Sequence, residues 1–179
     1  MTHRDILIPR QKAPDLSAKI VGGGTWRLSE ARAQNFTLVV FYRGLHCPIC
    51  RGYLAKLNGI AGDLAERGVK TIVLSTDSSD RAQRVRDEWD LDELTLGYGV
   101  SIAAARSWGL FISTGNGTTS MGVEEPVLFA EPGVFLFRPD GTLYFSNIQT
   151  MPFARPDLTT LPGAIDFVLK KNYPARGEA

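Results

Sequence analysis

The segment Phe36-Thr37-Leu38-Val39-Val40-Phe41-Tyr42 is almost continuously apolar, β-branched and aromatic, which predicts a central strand covered on both faces. Val69 to Leu74 repeats the character and predicts a second buried strand. Between them Leu54, Leu57, Ile60, Ala61 and Leu64 recur at helical spacing. Pro48 suits the first turn of that helix, and Gly68 falls where a C′ glycine would end it. Gly59 and Gly62 weaken the helix from within.

The pattern then repeats. Ser75-Thr76-Asp77-Ser78-Ser79-Asp80 is rich in N-cap residues and precedes a helix carrying Val85 and Trp89. Strand, helix, strand, helix predicts a βαβ unit and parallel pairing, because the crossovers must lie on the sheet faces. Leu94 to Leu96 reads as a short strand and Ser101 to Trp108 as a short helix, while Gly115 to Ser120 marks a mobile loop. Val134 to Phe137 and Leu143 to Phe145 flank Pro139-Asp140-Gly141 and predict an antiparallel hairpin. A last helix gathers Leu158, Leu161, Ile165, Val168 and Leu169 on one face, with Lys170 and Lys171 at its C-terminal end.

Ahead of this lies an aperiodic stretch with Pro9, Lys12, Pro14 and Asp15, then Gly22-Gly23-Gly24 before a short strand or hairpin at Trp26. The expected organisation is an N-terminal arm over 1–20, one domain over 21–175 and a C-terminal tail over 176–179. The expected fold class is α/β: a central mixed sheet, helices on both faces, and a late antiparallel hairpin.

At 179 residues, 44% of them apolar, the chain can bury one good core. Twenty basic and nineteen acidic side chains leave a formal charge of +1, without the like-charge runs of a nucleic-acid or membrane-surface footprint. Neither a signal peptide nor a membrane-spanning stretch is expected, so the cytoplasm is the default compartment. The large aromatic side chains Trp89 and Trp108 are expected in the core rather than at a dimer contact.

Only two cysteines occur, Cys47 and Cys50. That spacing is too close to staple a fold, and in a reducing compartment it is usually chemical or metal-binding. Zinc would need four ligands, and the chain adds only His3 and His46, so a metal within one chain is not expected. Both cysteines could also be inert buried hydrophobes. A buried strand running through a tight turn into Cys-Pro-Ile-Cys at a helix start favours chemistry instead. There, unpaired N–H groups and the helix dipole stabilise a thiolate, lowering a cysteine pKa to roughly 3.5–7.5. Cys47 is then the expected exposed nucleophile and Cys50, one turn later on the same face, the resolving partner. Arg43 and His46, just upstream, could each add positive charge or a hydrogen bond near Cys47, or serve only as an ion-pair residue and a packed turn residue.

With Phe41-Tyr42-Arg43-Gly44-Leu45-His46-Cys47-Pro48-Ile49-Cys50-Arg51, this segment order and the ending Tyr173-Pro174-Ala175-Arg176-Gly177, the chain resembles the peroxiredoxin-like branch of the alkyl hydroperoxide reductase/thiol-specific antioxidant (AhpC/TSA) family. The resemblance covers about residues 15–175. It implies a thioredoxin-like fold, a peroxidatic Cys47 oxidised to sulfenic acid by a hydroperoxide, a resolving Cys50, and a thioredoxin-type or glutathione-type reductant. It also draws in Pro132, since thioredoxin-like proteins place a cis-proline before the late strand, against the cysteine pair; a trans-proline starting a strand is the alternative. Typical members carry proline seven and threonine three residues before the peroxidatic cysteine, where this chain has Val40 and Gly44. Counted from Cys50, the same places hold Arg43 and Cys47. The usual arginine before the late strand is missing near Pro132.

Three functions remain open on the sequence. A thiol-dependent peroxidase leads, needing no metal or organic cofactor. A thiol–disulfide oxidoreductase acting on protein disulfides would use the same sulfurs. A redox sensor would couple the disulfide to the loop over 112–131. A homodimer is left open.

Overall fold

A computed structural model describes residues 6–179, so His3 lies outside the described residues. Its frame is a seven-stranded mixed sheet in the order β2-β1-β5-β4-β3-β8-β9. Strand β3 (Phe36–Phe41) lies at its heart, every residue buried. It pairs in parallel with β4 (Val69–Leu74) and antiparallel with β8 (Gly133–Phe137), so the sheet changes character at β3. β4 pairs in parallel with β5 (Thr95–Tyr98), and β8 closes the expected hairpin with β9 (Leu143–Ile148). On the far edge, β1 (Ser17–Ile20) joins β5 and returns through Gly22 to Gly24, all with positive φ, into β2 (Thr25–Arg27). Three successive left-handed positions are what glycine tolerates and side chains resist. β1 thus takes part in the sheet although it falls in the segment read as an arm.

Alternation along β3 divides the core in two. Phe36, Leu38 and Val40 face one cluster, with Leu54 and Leu57 of α1 (Pro48–Gly59), Leu64 of α2 (Ala61–Glu66), Val85 and Trp89 of α3 (Ser79–Trp89) and Ile165 of α5 (Leu161–Lys171). Cys47 and Cys50 belong to this side. Val39 and Phe41 face the other, where Ala105 of α4 (Ile102–Ser107) meets an aromatic group of Trp108, Phe135 and Phe137. Trp89 and Trp108 are both core residues, as expected.

One expectation needs correction. The helix after Cys47 is not continuous: Ile60 leaves helical geometry (φ −108°, ψ 5°) and divides α1 from α2. Gly59 and Gly62 flank the break, and the backbone entropy of glycine makes it the cheapest place for a long helix to bend around the sheet. The loop over 112–131 also contains structure, a separate ribbon of β6 (Ile112–Thr114) and β7 (Leu128–Ala130). Among the described residues, no helix is long and apolar enough to cross a membrane.

Candidate active site

The site is built where β3 runs out. Tyr42 to His46 form a tight turn, and Cys47 caps α1: its Sγ accepts the Cys50 N–H at 3.2 Å while Pro48 occupies the first turn. A cap sulfur and a proline without an N–H both suit a helix N-terminus, whose first donors have no intrahelical partner. Cys47 and Cys50 form a disulfide, with Cα atoms 5.2 Å apart. The expectation of an exposed Cys47 is corrected, because only 2% of that residue is accessible. Leu45, Leu54 and Trp89 pack in the same apolar cluster as the sulfurs.

The turn itself is shaped by Asp77, on the segment after β4. Its carboxylate accepts the Leu45 N–H at 2.8 Å and Arg81 Nε at 2.8 Å. Gly44 lies against it with φ +132°, and a Cβ there would come within 2.6 Å of both carboxylate oxygens. Only glycine fits. Burial pushes the Asp77 carboxyl upward, opposed by the Leu45 N–H and by Arg81.

Arg81 also reaches His46 Nδ1 at 3.2 Å and the Glu124 carbonyl at 3.1 Å. A guanidinium only donates, so His46 Nδ1 must accept and the ring proton sits on Nε2. Burial, with Arg81 beside it, holds the His46 pKa down to about 4. His46 is therefore neutral near pH 7 and brings no positive charge to Cys47, one of the two contributions considered for it. Its ring meets Phe129 edge-on at 4.7 Å, and the Arg43 guanidinium lies over the same Phe129 at 5.4 Å. The ribbon is thus docked on the turn through one phenyl ring.

Arg43 is fully engaged. Its Nε and Nη2 each donate to the buried Glu131 carboxylate at 2.8 Å, and Ser113 Oγ donates to the same group. Glu131 stands immediately before Pro132. No peptide bond among the described residues is cis, so Pro132 enters β8 in trans, as a strand-starting proline without a ladder N–H can.

The cation at the sulfurs is one the sequence did not single out. Arg155, in the segment between β9 and α5, donates from Nη2 to Cys50 Sγ at 2.9 Å. Its guanidinium stacks over the Tyr53 ring at 4.7 Å, and Tyr53 in turn donates its hydroxyl to the Pro156 carbonyl at 2.9 Å. Burial pulls the Arg155 pKa down to about 10, which leaves it charged at neutral pH. A cavity of about 320 Å³, lined in part by Ile49, Tyr53, Phe153 and Arg155, opens beside it. Of the expected residues, then, the structure joins Cys47 and Cys50, turns Arg43 to Glu131 and His46 to Arg81, and places a different arginine on sulfur. Among the described residues, no cluster of three or more His, Cys, Asp or Glu side chains is placed to hold a metal.

Residues 9–146 match the model of the AhpC/TSA family. No curated protein matches the chain. Among solved structures, a peroxiredoxin 6 of Arenicola marina is similar with a TM-score of 0.75 and 17% identity, over 93% of this chain and 75% of that one. A reduced 2-Cys peroxiredoxin of Plasmodium vivax is similar with a TM-score of 0.72 and 14% identity, over 92% and 83%. An AhpC of Enterococcus faecalis gives a TM-score of 0.70 and 18% identity, over 95% and 99%. At such identities the structural likeness establishes the fold, which is thioredoxin-like.

Proposed function

Because the chain belongs to the AhpC/TSA family, we propose that it is a thiol-dependent peroxidase whose working pair is Cys47 and Cys50. The observation that carries this reading is the disulfide between them at the mouth of α1, with a guanidinium on one sulfur. A hydroperoxide takes two electrons from the dithiol. One thiolate attacks the terminal oxygen, the O–O bond breaks, and the alkoxide leaves with a proton as alcohol or, from hydrogen peroxide, water. The second thiolate then attacks the resulting sulfenic acid, forming the S–S bond and expelling hydroxide, which is protonated to water. A thioredoxin-type or glutathione-type thiol donor resets the pair by exchange. Cys47 and Cys50 are the catalytic residues in this reading. Arg43, His46 and Pro132 set the shape of the turn and of the strand facing it. A homodimer belongs to the same proposal.

The deciding experiment mixes reduced protein with one equivalent of hydrogen peroxide in a stopped-flow instrument and checks the product by intact mass. Reaction orders of magnitude faster than a simple dithiol, ending in a loss of two hydrogens, supports the peroxidase. A rate no faster than that dithiol overturns it and leaves a thiol–disulfide oxidoreductase, to be assayed on a protein disulfide.

A further inference from the structure

We propose that Arg155 is a redox-dependent latch on the segment 149–157: it holds that segment shut beside the cysteine pair while Cys50 is a thiolate, and oxidation to the disulfide loosens the hold so that the segment opens to a thiol reductant. This takes from the reading above only that Cys47 and Cys50 cycle between dithiol and disulfide. It does not depend on which oxidant makes the disulfide.

A buried disulfide needs a way in. Cys47 is 2% accessible and Cys50 0%. Exchange begins when a donor thiolate attacks one of the two sulfurs, so the pair cannot be reset until part of its cover moves. Two pieces of chain border the turn. The ribbon of β6 and β7 is held by the Phe129 contacts, by the Arg81 bond to the Glu124 carbonyl and, through Ser113, by the Arg43–Glu131 pair. None of these holds is on a sulfur, so none changes when the pair gains or loses electrons. The segment 149–157 has no regular structure, and one of its holds is the bond from Arg155 Nη2 to Cys50 Sγ at 2.9 Å. Near its ends the Gln149 N–H donates to the Pro132 carbonyl at 3.1 Å and the Tyr53 hydroxyl to the Pro156 carbonyl at 2.9 Å. Between them Met151 and Phe153 are exposed.

The strength of the Arg155 hold follows the charge on sulfur. A guanidinium facing a thiolate makes an ion pair as well as a hydrogen bond, whereas a neutral disulfide sulfur is only a weak acceptor. Among the described residues Arg155 has no carboxylate within ion-pair distance, unlike Arg43 and Arg81, and its Nε and Nη1 are buried without hydrogen-bond partners. The Tyr53 ring at 4.7 Å is its one attraction that does not vary with redox state. A buried cation is tolerated when it is paired and hydrogen-bonded, and is costly otherwise. Oxidation removes the thiolate charge and leaves the cation with two unmet donors, so the open arrangement, with the guanidinium in water, gains population. Reduction reverses the shift. A donor thiolate attacks one sulfur, the S–S bond breaks and the other sulfur departs as a thiolate. A second donor thiolate then attacks the donor sulfur of the mixed disulfide and releases the remaining cysteine, so the donor leaves as its own disulfide. The protein again holds the anion that Arg155 pairs with, and the segment closes.

The test is limited proteolysis of the full chain with chymotrypsin, following cleavage after the exposed Phe153 by intact mass. Protein oxidised with diamide is compared with protein kept reduced by a phosphine, for wild type and for Arg155→Gln. Cleavage in this regime tracks the population of the opened segment. The oxidised wild type is expected to be cut about tenfold faster than the reduced, the scale set by exchanging a charge-assisted hydrogen bond for a neutral one. A cross-link by itself would act in the opposite direction, by restraining the chain. In Arg155→Gln both redox states are expected to be cut at one rate, near that of the oxidised wild type. Wild type cut equally in both states, or faster when reduced, overturns the latch, and this comparison decides even where Arg155→Gln does not fold. A redox difference that survives in a folded Arg155→Gln overturns the assignment to Arg155. Because diamide makes the disulfide, a wild type that is slow with peroxide would remove the peroxidase reading and leave this result standing.

Discussion

Arg43 and Glu131 lie 88 positions apart in the chain and meet as a two-pronged ion pair, both arms at 2.8 Å, with the Glu131 side chain 1% exposed. The pair ties the end of β3 to the entrance of β8, directly behind the cysteine turn.

Removing one partner strands the other. Arg43→Ala leaves a buried carboxylate without its counter-charge and should lower unfolding stability by about 3–5 kcal/mol in urea denaturation. Arg43→Met with Glu131→Leu removes both charges and should restore most of that loss. A double variant as unstable as the single one would mean that the pair matters by shape rather than by charge.

Gly44 offers a contrast of sign with Gly52. Gly44→Ala places a methyl group on the Asp77 carboxylate in a strained backbone conformation. It should destabilise by about 1–3 kcal/mol or more. Gly52→Ala lies within α1 with open space around its Cβ position and should stabilise by about 0.5–1 kcal/mol. Thermal unfolding of both variants at one pH distinguishes them.

His46 makes stability depend on pH. Its folded pKa of about 4 lies below the usual 6.5, so as pH falls the unfolded chain takes the proton first. The contribution of neutral His46 is full above pH 6.5, declines between 6.5 and 4, and is then exhausted. The difference between wild type and His46→Gln across that window should amount to roughly 3 kcal/mol. Asp77, whose pKa is raised, slopes the other way and is common to both proteins. A difference that does not vary with pH would contradict the buried neutral ring.

Arg81 supplies part of that depression. In Arg81→Gln the ring loses a neighbouring cation, and the His46 resonances should titrate at higher pH by nuclear magnetic resonance. No change would show that burial alone holds the ring neutral.

Much of this could be read from the chain. The apolar run over 36–42 and the Cys-Pro-Ile-Cys turn gave β3, α1 and the reactive pair, because burial on two faces and a helix cap both leave local marks. Asp77 and Arg81 were accessible too, as an i,i+4 pair at a helix start. Arg155 was not: it lies 105 positions from Cys50 in a segment without periodicity, and only the chain path after β9 delivers it. β6 and β7 are three residues each, too short for alternation to show. The break at Ile60 was half legible, in two glycines whose propensity weakens a helix without saying where it will part.

The alternation of β3 also sorts the tryptophans. Trp89 shares a core layer with both cysteines and lies 6.1 Å from the Tyr42 ring, whereas Trp108 sits in the opposite layer among Phe41, Phe135 and Phe137. Indole emission is quenched by a nearby disulfide at short range, so the two residues are separate gauges. Trp89 should brighten when the pair is reduced, whereas Trp108 and the third tryptophan, Trp26, which packs against the same opposite layer, should register only whether the sheet is intact. One optical trace therefore carries the redox state and the folding state of the molecule as distinguishable signals.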